Sequence, residues 1–223
     1  SDALLFELME IDGVVQLASR GEHEGEGEAE EHVDHDDHDD HKEEAHDDHD
    51  HGAFDPHGWL AIENAQLWVN TISTALIEAD PENADLYREN TSVALANLDA
   101  LSAKIEAKMS EVKTQHYMGL HDAFQYFDHR FGPEFAGSIK LGDAAAPSPA
   151  RVALAREHMR EHNVRCIFKE PQQNDRLVNV VIEGMDAKIG QLDAIGATLT
   201  PGPNLYTDLL NGIANSFTTC LAD

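Results

Sequence analysis

The stretch from residue 22 to residue 51, ending in HVDHDDHDDHKEEAHDDHDH, constrains the fold of this chain most. It holds sixteen Asp or Glu and one Lys, so it carries −15 of the formal −28 and leaves −13 to the rest. A segment this charged, with no apolar period, cannot bury enough surface to offset the entropy of ordering it. A solvated loop is expected over residues 22–52, and any core must be assembled from the segments on either side. Within the loop, His32, His35, His38 and His41 recur every three residues, and His46, His49 and His51 continue the run. Imidazoles and carboxylates on a flexible segment gather around a metal in many alternative sets. Each ordered residue costs about 1–2 kcal/mol, so binding there is expected to be weak and multiple. Neutral imidazole is the ligand, so capture should fade as pH falls through roughly 6 to 7. The plain alternative is a solvated acidic linker.

The charge also selects partners. An acidic chain repels nucleic acid and anionic membrane, and cations are its natural ligands. No apolar run approaches the roughly 20 residues of a membrane helix. No signal peptide is read, and a start at Ser1 suits a mature or trimmed form. The 223 residues suit one large domain or two small ones. Cys166 and Cys220 lack the close pairing of a zinc motif. They read either as two buried thiols or as one disulfide made in an oxidising compartment.

Beyond the loop, periodicity predicts an α/β fold. Residues 3–20 read as two short strands around a turn, and residues 63–80 as a helix. Asp80 is the expected N-cap of a second helix, with Pro81 in its first turn. That helix runs about 28 residues, or roughly 40 Å, which suits a strut between two lobes. Strands are predicted at 114–120, 137–141, 164–170 and 187–193. Helices are predicted at 121–131, 148–163, 174–185 and 204–221. The alternation indicates a mainly parallel sheet flanked by helices. Such sheets place sites at the carboxyl ends of strands, where His121 and Asp193 fall. His57 stands in a rigid context, after Pro56 at the entry to the first helix. His116 is assigned to core or surface, and His129, His158 and His162 to solvent. No HExxH or GxSxG occurs to support a hydrolase.

The segments DPHGWLAIENA, DPENADLYREN, HDAFQYFDHRFG, KEPQ, LDAIGA and NLYTDLLNGIANSF occur in this order. Together they resemble the zinc-specific solute-binding proteins of bacterial ABC importers, over roughly residues 53–221 and more weakly back to LLFELMEIDG. The resemblance implies two α/β lobes joined by a long helix, with one metal held between them. On this pattern residues 1–80 belong to the first lobe, 81–110 to the linking helix and 111–223 to the second lobe. It also implies a periplasmic monomer that delivers zinc to a membrane permease and is not an enzyme. Family ligands fall on His57 and His121, and Asp193 matches a position where relatives that bind other metals use a carboxylate. Glu170, in KEPQ, is expected to support a ligand by hydrogen bonding. The cysteines match a family disulfide, so Cys166–Cys220 pairing is implied.

Two departures stand out. A further histidine ligand of the family's first lobe has no counterpart in Ser1–Ala53, so that lobe is expected to be incomplete. Relatives often carry Asp-Pro after the DPH segment, where this chain has Ala61-Ile62. Zn²⁺ follows from the family and from the ratio of histidine to carboxylate, since affinity order alone would favour copper. A two-tier arrangement is expected, with the loop as a low-affinity collector beside a tight site. The competing reading is a zinc storage or buffering protein acting through the loop alone.

Overall fold

The computed structural model describes residues 5–20, 54–140 and 147–222. Four parallel strands form one sheet: β1 (His116–Gly119), β2 (Glu134–Ser138), β3 (Cys166–Lys169) and β4 (Lys188–Gln191), in the order β2-β1-β3-β4. Six α-helices accompany them among the described residues: α1 (Ile62–Ala79), α2 (Ala84–Met109), α3 (Gln125–Phe131), α4 (Pro149–Glu161), α5 (Arg176–Ile182) and α6 (Leu205–Leu221). Strand residues alternate between two cores, as a period of two requires. Tyr117, Cys166 and Phe168 face the first core with α2, α3 and α6, while Met118 and Ile167 face the second with α4 and α5. The first core is aromatic at its centre, where the Phe217 ring lies 4.9 Å from Tyr117, 5.0 Å from Phe168 and 5.8 Å from Phe127. The expected disulfide is present and ties β3 to α6 through Cys166 and Cys220.

Three local expectations are corrected. No hairpin forms over the described part of residues 3–20. That segment has a short 3-10 turn at Leu8–Glu10 and one antiparallel bridge, Ala18 to Phe54. Its backbone is satisfied by side chains instead of a partner strand. Asn64 accepts from Val15 N and donates to Val15 O, Tyr126 Oη accepts from Leu17 N, and Trp68 Nε1 donates to Leu8 O. Asp80 does not cap α2 through a backbone amide. A 3-10 turn, Pro81–Asn83, intervenes, and the Asp80 carboxylate accepts from Asn83 Nδ2 and Tyr87 Oη. The second strand begins at Glu134, earlier than predicted. Its register shifts near Gly137 (φ 135°), a conformation that glycine tolerates, and pairing continues as Ile139 N and Lys140 N donate to Gly119 O and Leu120 O. Ser148 caps α4, its Oγ accepting from Arg151 N.

Arg20 fastens the residue just before the acidic stretch to the sheet. Its guanidinium donates to both oxygens of Asp122, at 2.7 and 3.1 Å, and to Asp128 Oδ2 at 3.0 Å. Tyr117 Oη donates to the same Asp128 oxygen at 2.6 Å, and the Arg20 guanidinium lies 4.0 Å over the Phe135 ring. Burial pushes the Asp128 carboxyl up to about 7, against the opposing pull of Arg20 and the Tyr117 hydrogen bond.

Two outcomes are expected. Replacing Cys166 and Cys220 with alanine should lower unfolding free energy by roughly 2–4 kcal/mol in urea, and an unchanged midpoint would show that the cross-link contributes nothing. Asp128 titrates higher folded than unfolded, so its contribution to stability is full below the unfolded value near 3.8 and is lost as pH rises through about 7. D128N should therefore lose less stability than the parent between about pH 4 and pH 7. Parallel pH profiles for the two proteins would contradict this.

Candidate metal centre

The sheet order places the site. β1 and β3 are neighbours, so the segments leaving their carboxyl ends lie side by side, and Leu120 N still donates to Phe168 O at 2.7 Å. His121 follows β1 and Glu170 follows β3. Glu170 Oε1 sits 2.9 Å from His121 Nδ1, and Glu170 is only 6% exposed. Gln172 Nε2 and Gln173 Nε2 donate to the Glu170 carboxylate, and Gln173 Oε1 accepts from Glu170 N, so the acid itself is held on several sides. Gly119 permits the turn into His121. A Cβ there would stand 2.6 Å from the His121 carbonyl oxygen, which cannot yield as a side chain would.

His57 arrives from a different part of the chain. Asp55 N donates to Leu17 O, and Tyr126 Oη donates to Asp55 O. The Asp55 carboxylate then turns onto its own segment, with Oδ1 accepting from His57 N at 2.9 Å and lying 2.6 Å from His57 Nδ1. Asp55 is 4% exposed, so this contact is shielded from solvent. Trp59 continues the anchoring. Its Nε1 donates to Ala194 O, and its carbonyl accepts from Tyr206 Oη. The His57 and His121 rings meet edge to face with centroids 5.3 Å apart.

Asp193 follows β4 at the same edge of the sheet, but its carboxylate serves its own loop. Oδ1 accepts from Ile195 N and Ala197 N, and Oδ2 accepts from Thr198 N and Thr198 Oγ1. Burial raises this carboxyl, but the amides of Ala197, Thr198, Ile195 and Gly196 outweigh it and hold it below the usual range. Among the described residues no group of three His, Cys, Asp or Glu is gathered tightly enough to hold a metal ion. The structure thus brings together His57, His121 and Glu170 of the sequence candidates and leaves Asp193 in its loop. His32, His35, His38, His41, His46, His49 and His51 lie outside the described residues. Asp55 was missed by the sequence reading, although the only available signal was close at hand, an acid two positions before the histidine.

No described helix is long and apolar enough to cross a membrane. The family model of ZnuA, zinc-uptake complex component A periplasmic, matches residues 6–220. The high-affinity zinc uptake system protein ZnuA of Brucella suis biovar 1 (strain 1330) is 40% identical over 180 residues, which cover 81% of this chain and 54% of the relative. That of Paracoccus denitrificans (strain Pd 1222) is 37% identical over 168 residues, covering 75% and 52%. The chain therefore spans about half the length of these curated relatives. Among solved structures, a crystal structure of ZnuA superposes with TM-score 0.66 at 21% identity, covering 76% of this chain and 61% of that one. The solute-binding protein FpvC of P. aeruginosa, in complex with Ni²⁺, superposes with TM-score 0.65 at 22% identity, covering 76% and 63%. These two likenesses concern the fold. The match over residues 6–220 and the identity to the curated relatives establish that this chain belongs to the ZnuA family of periplasmic zinc-uptake components.

Proposed function

We propose that this chain captures Zn²⁺ in the periplasm through His57 and His121 and presents it to the permease of an ABC importer. One observation carries the ligand assignment: each imidazole has its Nδ1 against a buried carboxylate, Asp55 or Glu170. A carboxylate at one ring nitrogen fixes the tautomer, raises ligand basicity and leaves Nε2 as the metal-binding atom. The spacing agrees. With Zn–N near 2.0–2.1 Å and tetrahedral angles, two imidazoles on one ion have centroids about 5 Å apart. The His57–His121 separation is 5.3 Å. The names of the relatives support zinc as the cargo.

In this reading α2 is the linking helix, residues 1–80 contribute to a first lobe, and residues 111–223 form the second. Asp193 organises the loop whose Ala194 carbonyl holds Trp59, and to ligate the metal it would have to surrender hydrogen bonds from that loop. The acidic histidine-rich stretch is the low-affinity collector, and transport replaces catalysis as the purpose of the metal. Capture fits the −28 charge, which draws cations toward the protein.

Calorimetry separates this reading from storage by the loop. Replacing His57 and His121 with alanine should abolish the tightest zinc-binding event and leave the weaker ones, whereas survival of that event would remove the assignment. Deleting residues 22–51 should do the reverse, and loss of all binding would favour storage. Glu170→Gln keeps the shape of the side chain but removes its charge, and should weaken the tight event by about 10–100-fold. Gly119→Ala should also weaken it, because the new Cβ collides with the His121 backbone. Unchanged affinity in both variants would show that the oriented ring is not the ligand.

A further inference from the structure

The remaining histidines are not scattered. His116 opens β1 and is paired in register with Glu134, which opens β2, so both lie at the amino end of the sheet, opposite His121. His116 shares its strand face with Met118, the face covered by α4. His158 lies in the last turn of that helix and His162 is its C-cap residue, whose N donates to His158 O at 3.0 Å. The structure sets the His162 ring 5.4 Å from His116 and 6.3 Å from His158, centroid to centroid. His116 Nε2 lies 3.0 Å from Glu134 Oε2, a carboxylate-to-imidazole contact made through the other ring nitrogen than at His57 and His121 and with a more exposed acid.

From this juxtaposition we infer that His116, His158 and His162 form a second divalent-metal site, for a borderline ion that prefers imidazole, such as Zn²⁺, on the α4 face of the sheet. His158 and His162 stand one turn apart, because His162 N closes the last helical turn on His158 O, and side chains one turn apart can reach one ion. Glu134 occupies Nε2 of His116 and leaves Nδ1 as its donor. The His116–His162 spacing already suits two imidazoles on one tetrahedral ion, for which centroids stand about 5 Å apart. His158 lies farther out, so the three do not converge as the side chains stand. Closing the gap takes a side-chain rotation. His162 is exposed and His158 half-buried beside Gly137, whose missing side chain leaves room next to His158 Nδ1. Because the third ligand must be recruited, the site should bind more weakly than one whose ligands are held in advance. It shares no residue with the proposed His57–His121 centre.

Histidine ring resonances of the 223-residue chain, followed while Zn²⁺ is added, test this directly. The signals of His116, His158 and His162 should move together along one isotherm. The exposed His162→Ala substitution, which threatens folding little, should weaken the response at the other two rings by about tenfold or more, and Glu134→Gln should weaken it by about 10–100-fold. The response should persist when His57 and His121 are both alanine, which keeps its failure distinct from failure of the principal site. Movement of only one or two of the three rings, a response indifferent to His162→Ala, or no movement with excess Zn²⁺ would each overturn the assignment.

Discussion

The site depends on two carboxylate–imidazole contacts, Asp55 on His57 and Glu170 on His121. A ring that can rotate freely must be stopped before it can ligate, and its freedom is lost at the moment of binding. Here the stopping is done beforehand by acids that are themselves buried and held. Glu170 is bracketed by Gln172 and Gln173, and Asp55 by the Leu17 carbonyl and the Tyr126 hydroxyl. On the proposed reading, a histidine held in this way binds metal more tightly than one whose segment has to be ordered first.

Parallel topology converts this local chemistry into a site. Placing β1 beside β3 puts the residues after both strands in reach of each other, so His121 meets Glu170 across a gap of 49 positions in sequence. His57 has no strand beneath it. It is fixed by side chains reaching from elsewhere, above all Trp59 to Ala194 and Tyr126 to Asp55. These aromatic residues therefore pack in the core and also position His57. Tyr126 is buried in the first core and spends its hydroxyl on two backbone segments.

Much of this was legible in the sequence, and what was not has physical causes. Strand and helix rhythm after residue 110 was readable because parallel strands buried on both faces are short apolar runs between amphipathic helices. The disulfide and the pairing of His57 with His121 came from resemblance, since spacing alone specifies no long-range contact. The early hairpin failed because an apolar stretch can be satisfied by side chains as well as by a second strand, and Asn64, Tyr126 and Trp68 lie too far along the chain to announce themselves. Ile72, Leu76, Leu86 and Val93 are apolar residues of α1 and α2, yet all four are more than 40% exposed. A pattern tells which face is apolar and not what covers it. His116, His158 and His162 looked unremarkable one by one, and only the packing of α4 on the sheet brings them together.

The most direct measurement is a crystal structure of the zinc-loaded chain. The account predicts an ion within about 2.0–2.1 Å of the Nε2 atoms of His57 and His121, with Asp55 and Glu170 still on the opposite nitrogens. An ion coordinated only by residues of the acidic stretch, with water against both imidazoles, would contradict it.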